Sequence, residues 1–153
     1  MKAFSRIVLS MLMFAALALS QELPQPSVVT AKDQNRFVGA WRLVSIEEPG
    51  ENGQVHKLDC SGMFVFTPEG KASVQLMYRN ASTGSAYAQN GYEASYGSYS
   101  IDDSSIFTFH IDGALVRTLI GKHLKRAYQI SGNRLIVKST DPNEHWKVIW
   151  EHY

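Results

Sequence analysis

Phe37-Val38-Gly39-Ala40-Trp41-Arg42-Leu43-Val44 is the stretch that decides the fold. It sets a Gly-x-Trp at the head of a first strand, and only short strands and turns follow it to Tyr153. A small closed β-barrel begins in this way, and such a barrel has room for one small apolar ligand.

Downstream, turn residues cut the chain into eight strands. The first runs from Trp41 to Glu48 and stops at Pro49-Gly50-Glu51-Asn52-Gly53. The second, Gly62 to Thr67, ends in Pro68-Glu69-Gly70, with Pro early and Gly late as a tight turn requires. Lys71 to Arg79 is the third. The polar, small-residue stretch 80–90 has no periodicity and reads either as a lid over the barrel mouth or as a plain loop. Gly91 to Ile101 is the fourth strand, and Asp102-Asp103-Ser104 turns it into the fifth, Ser105 to Asp112. The sixth spans about His123 to Ile130, with an earlier start near Val116 as the alternative, and Ser131-Gly132-Asn133 is a hairpin turn into the seventh, Arg134 to Ser139. Asp141-Pro142-Asn143 leads to the eighth, His145 to His152. Short links make consecutive strands antiparallel neighbours. Pairing the first with the eighth would remove both open edges. The reading is therefore an all-β, single antiparallel up-and-down barrel of about eight strands, with a two-sheet sandwich as the alternative.

Upstream of the barrel stands a leader. Lys2 and Arg6 make a basic start, Ile7 to Leu19 is apolar except for Ser10, and Ala18-Leu19-Ser20 offers small residues to a signal peptidase. That apolar run of 13 residues is short of the roughly 20 a membrane span needs. Residues 1–20 read as a signal peptide cleaved after Ser20, 21–36 as a flexible lead-in with two prolines, and 37–153 as the barrel domain. Residues 31–38 suit a helical turn that caps the barrel bottom with Phe37 and Val38 facing inward. The protein is expected to be secreted or periplasmic, with no membrane span once the leader is removed.

Removing 20 of the 153 residues leaves 133, enough for one domain with its own core. The leader takes two of the 15 basic residues and none of the 14 acidic ones, so the formal charge falls from +1 to −1. Without a basic stripe, nucleic acid is not an expected partner. Cys60 is the single cysteine, so no internal disulfide forms and the thiol reads as a small buried hydrophobe. His56, His110, His123, His145 and His152 are scattered without metal-ligand spacing, and no metal or cofactor is expected. No nucleophile elbow, phosphate loop or dinucleotide fingerprint occurs. Asn80-Ala81-Ser82 is a formal glycosylation sequon.

Several ordered pieces resemble the lipocalin-like domain family of bacteria and fungi, a branch of the calycin barrels. They are Val38-Gly39-Ala40-Trp41-Arg42-Leu43-Val44-Ser45, Pro68-Glu69-Gly70, Tyr96-Gly97-Ser98-Tyr99, Phe109-His110-Ile111, Arg126, Gly132-Asn133-Arg134-Leu135 and Trp150-Glu151. The likeness covers residues 37–151 and implies a lipocalin-type barrel without implying an activity. It departs from the family pattern between Gly113 and Gly121, where Ala114-Leu115-Val116-Arg117-Thr118-Leu119-Ile120 replaces the usual Pro- or Trp-containing stretch. The resemblance also implies a structural barrel-end motif of Gly39, Trp41 and Arg126, with the guanidinium stacked on the indole.

Alternation puts Leu124, Arg126, Tyr128 and Ile130 on one face of the sixth strand, so Arg126 points into the barrel. Candidate ligand-binding residues are Tyr78, Tyr96, Tyr99, Phe109, Arg117, Arg126 and Trp150. The expected interior is solid below, with a small cavity above. The leading reading is an exported carrier of a small hydrophobic molecule, as a monomer or weak dimer. A second reading is an isomerase or cyclase with His110 and Tyr96 moving protons on a hydrophobic substrate. A third is a solid-barrel interaction module without ligand.

Overall fold

The computed structural model describes residues 35–82 and 85–153. The expected leader, the lead-in up to residue 34 and residues 83–84 lie outside the described residues. The strands are β1 Gly39–Pro49, β2 Val55–Leu58, β3 Cys60–Phe66, β4 Lys71–Tyr78, β5 Tyr92–Ile101, β6 Ile106–Ala114, β7 His123–Ser131, β8 Arg134–Ser139 and β9 Lys147–His152. They form one antiparallel sheet in the order β2-β1-β3-β4-β5-β6-β7-β8-β9, and β1 also pairs with β9. The result is a closed eight-stranded barrel with β2 as an extra strand, not a sandwich.

The extra strand corrects the sequence reading, which gave 55–58 to no strand. Val55 to Lys57 are exposed, so the segment lacks the apolar alternation that marks a half-buried strand. It exists because β1 is long. Gly39 to Arg42 pair with β3, and Ile46 to Pro49 pair with β2 beyond a break at Asp59. The last strand begins at Lys147 rather than His145.

Two irregularities aim side chains. Near Val44, β1 slips by one residue against β9, so Leu43 faces Trp150 while Ile46 faces Val148. A second slip between β5 and β6 falls at Asp112. There Gly97 lies so close to the His110 carbonyl that any Cβ would collide with it, which ties glycine to the bulge.

Aromatic rings fill the lower end of the barrel. Residues 35–37 are helical and insert Phe37, which is fully buried. Its ring lies 4.7 Å from Tyr128, 5.2 Å from Phe66, 5.3 Å from Phe107 and 6.0 Å from Tyr99, mostly edge to face. Trp41 donates its indole N–H to the Phe37 carbonyl at 2.8 Å, and the His152 imidazole meets the indole edge-on at 4.8 Å. That imidazole occupies the space a Cβ on Gly39 would need, and Gly39 has φ +134°. The Gly-x-Trp opening is thus explained by His152, whose own strand closes the barrel.

Phe37→Ala should destabilise the protein by about 3–5 kcal/mol in urea denaturation, and Phe37→Leu by less than half as much. An unchanged midpoint for the alanine variant would show that the plug does not hold the lower end together.

Candidate functional site

Above the aromatic plug the barrel stays open, leaving a cavity of about 100 Å³. Inward positions of alternating strands build its walls. Val74 and Leu76 come from β4, Phe107 and Phe109 from β6, Val148 and Trp150 from β9, and Phe64 from β3. Ile46 faces in because the β1 slip turns it there. The stretch after β6 forms a 3-10 turn, Arg117–Leu119, which sets Leu119 into the cavity.

The rim is polar. Arg126 enters from β7, Glu93 from β5, Glu48 from β1 and Tyr78 from β4, with Tyr87 and Trp146 from the loops beside them. Arg126 is clasped by two rings. Its guanidinium carbon lies 5.2 Å from the Tyr87 centroid and 5.0 Å from that of Trp146. At a half-buried cation such contacts contribute on the order of 0.5–1 kcal/mol each. The Tyr87 hydroxyl donates to Glu144 at 2.6 Å, and Ser139 donates to the other oxygen of the same carboxylate. Burial pushes Glu144 up, but those hydroxyls and the charge of Arg126 outweigh it and hold the carboxyl below its usual range. Tyr87 is thereby latched across the rim to the β8–β9 connection. The indole N–H of Trp146 is buried there on the side of the Glu144 carboxylate.

Glu93 is the unusual group. Burial pushes its carboxyl up to about 7, with Arg126 opposing the rise by its charge. Among the described residues no ion pair within 4 Å joins it to Arg126. Tyr78, beside it, is raised by burial first and by Glu93 second. Burial also drives the Cys60 thiol to about 11, which leaves it a poor nucleophile.

The candidates from sequence separate into two groups. Tyr78, Phe109, Arg126 and Trp150 line the cavity. Tyr99 instead belongs to the plug, 5.0 Å from Phe66, with its hydroxyl donating to the Thr67 carbonyl. Arg117 is exposed on its 3-10 turn. Tyr96 is 60% exposed on the outer face, its ring covering Gly113. His110 also points outward, 3.2 Å from the Ser100 hydroxyl and with its ring 4.5 Å from that of His123. Inward alternation on β6 is taken by Phe107, Phe109 and Ile111, so His110 has no access to the cavity. Arg126 does not stack on Trp41. It enters at the open end, and His152 takes the place against the indole. Sequence reasoning missed Glu93, Glu48, Tyr87 and Trp146 as rim residues. For Glu93 a signal existed, an acidic residue in phase with Ser95, Gly97 and Tyr99 on the inward face.

A raised carboxyl costs stability as it ionises. The unfolded Glu93 ionises in the ordinary carboxylate range and the folded one near 7, so stability falls as pH rises through that window and then levels. Glu93→Gln should therefore match the parent protein at pH 4 and exceed it at pH 8 by about 1–3 kcal/mol in denaturant titrations. Equal stabilities at both pH values would contradict a desolvated Glu93.

Two solved structures are similar at a TM-score of 0.49 each. One is an uncharacterized protein from Bacteroides eggerthii, 17% identical, covering 76% of this chain and 99% of its own. The other is a lipocalin-like protein from Bacteroides uniformis, 15% identical, covering 77% of this chain and 99% of its own. No curated protein matches the chain. The model of the lipocalin-like domain matches residues 38–152, the whole barrel from the Gly-x-Trp opening to the closing strand, and the chain belongs to that family.

Proposed function

We propose that this protein is exported and binds a small, mainly apolar molecule in the upper half of its barrel. The observation that carries the reading is the division of the interior. The lower end is packed solid with rings, while the upper end keeps an apolar cavity of about 100 Å³ under a polar rim. A globular core ordinarily leaves few voids larger than a water molecule, so an open space of this size is a feature the packing had to forgo. A cavity of roughly 150 Å³ accommodates benzene. This one therefore seats the apolar end of a ligand, with the ligand's polar end at the rim. Export rests on the basic start, the short apolar run and the small residues before Gln21. The proton-transfer reading has less support, because His110 and Tyr96 both stand on the outer face.

Titration with 2-phenylethanol, followed by Trp fluorescence and amide NMR, should give saturable shifts confined to the upper barrel and a raised melting temperature. Leu76→Trp fills the cavity and should abolish those shifts while the barrel still folds, at a cost of about 1–3 kcal/mol from overpacking. Binding that persists in the filled variant, or no saturable binding in the parent protein, would remove the cavity reading. The intact mass of protein expressed with its leader in an exporting host should correspond to residues 21–153.

A further inference from the structure

The rim holds two groups whose chemistry is unspent. Arg126 has five N–H donors, of which one goes from Nη1 to the Lys125 carbonyl at 3.1 Å and another serves the Tyr87 hydroxyl, so most of the fork is unspent. The faces of Tyr87 and Trp146 hold the guanidinium in place, which fixes its plane while leaving most of its donors free. Glu93 lines the same cavity from β5 and makes no hydrogen bond or ion pair to any described side chain. A carboxyl held in a mainly apolar cavity without a partner is expensive. Arg126 keeps donors to spare beside it, and the two have not neutralised each other. An acceptor placed between them would satisfy both.

We propose that the ligand is a small monocarboxylic acid with an apolar body, its carboxylate held by Arg126 and sharing one proton with Glu93. The proposal rests on the cavity-binding reading above and specifies its ligand class. Between β5 and β7 the guanidinium of Arg126 favours an anion over a cation. Glu93 feels one resolved charge, the positive one on Arg126, and burial keeps its own proton on up to about pH 7. A protonated Glu93 is a donor that faces the same space as the donors of Arg126. Two carboxyl groups sharing one proton at short range is a stable arrangement in a desolvated site. An amine would instead face the guanidinium, and the carboxylate left to accept from it is Glu48 on β1.

Groups from every neighbouring element bear on this. From β4 Tyr78 and from β3 Cys60 stay neutral, because burial and nearby carboxylates push both up. On the loop side Tyr87 is also raised, by burial first and then by its bond to Glu144. Glu144 is engaged by Ser139 and Tyr87. From β1 Glu48 lines the rim and sets a like charge against an anion. The ligand takes up its shared proton in full only above pH 7, where Glu93 would otherwise be ionised, and binding weakens there.

The experiment is a matched series of phenylacetate, phenethylamine and 2-phenylethanol, titrated into the full-length mature protein at pH 6 and pH 8 with NMR and calorimetry. Phenylacetate should bind more tightly than the amine, and its affinity should drop about tenfold between pH 6 and pH 8, the ratio of protonated Glu93 for a group titrating near 7. Calorimetry in buffers of different ionisation enthalpy should show uptake of close to one proton at pH 8. Glu93→Gln should flatten the pH dependence. Arg126→Gln should weaken phenylacetate at least tenfold and leave 2-phenylethanol within about twofold, while Glu48→Gln should tighten phenylacetate. Amine binding that strengthens with pH, or acid binding indifferent to Arg126→Gln, overturns the proposal and leaves the cavity reading standing. Binding of the neutral alcohol alone does the same. Failure of all three probes overturns both.

Discussion

The pairing of β1 with β9 is the contact on which the rest depends. It joins Trp41 to His152 and continues to Glu47 and Lys147. Without it the sheet would have two open edges, each a row of unpaired backbone groups. With it, every inward side chain faces another wall. Of the ion pairs across this seam, Arg42 with Glu151 lies near solvent and adds little, while Lys147 with Glu47 sits deeper. Backbone hydrogen bonding and the apolar residues behind it, Trp150, Val148 and Ile46, hold the seam closed. Its one-residue slip near Val44 also decides what the cavity contains, since it turns Ile46 and Glu48 inward.

Closure leaves an interior that cannot be packed uniformly. Phe37, Phe66, Phe107, Tyr99 and Tyr128 crowd the lower end, and their burial supplies the stability that lets the upper end remain open. A chain whose single cysteine is partly buried at position 60 has no disulfide to compensate for an open core. The plug and the cavity are therefore two parts of one arrangement. Glu93 shows the cost of the open part, because an acid in that setting titrates far above its ordinary range. Proteins tolerate such groups where they serve a site.

Much of the architecture was legible in the chain. Turn residues such as Pro68-Glu69-Gly70 and Ser131-Gly132-Asn133 punctuate it at the right places, and the structure turns there. Alternation put Arg126 inside the barrel, where it lies. What was not legible is which end of the barrel each inward residue occupies. Period-two alternation separates inside from outside but carries no information about height along the axis. The family resemblance set Arg126 on Trp41, and it stands instead at the rim, while Tyr99 was expected at the ligand and stands in the plug. On the fifth strand of the sequence reading, alternation left the choice of inward face open. The structure gives it to Phe107, Phe109 and Ile111, which removes His110 from the cavity.

By itself, then, the sequence determined the all-β class, the antiparallel order, the closing pair of strands and the Gly-x-Trp opening, because these follow from local turn chemistry and short links. Only the tertiary structure decided the rim. Glu93, Glu48, Arg126, Tyr87 and Trp146 come from separate strands and loops, and strand register, two one-residue slips and the tilt of a closed barrel set which of them meet. Those are properties of pairing between distant segments, which no local pattern along the chain records.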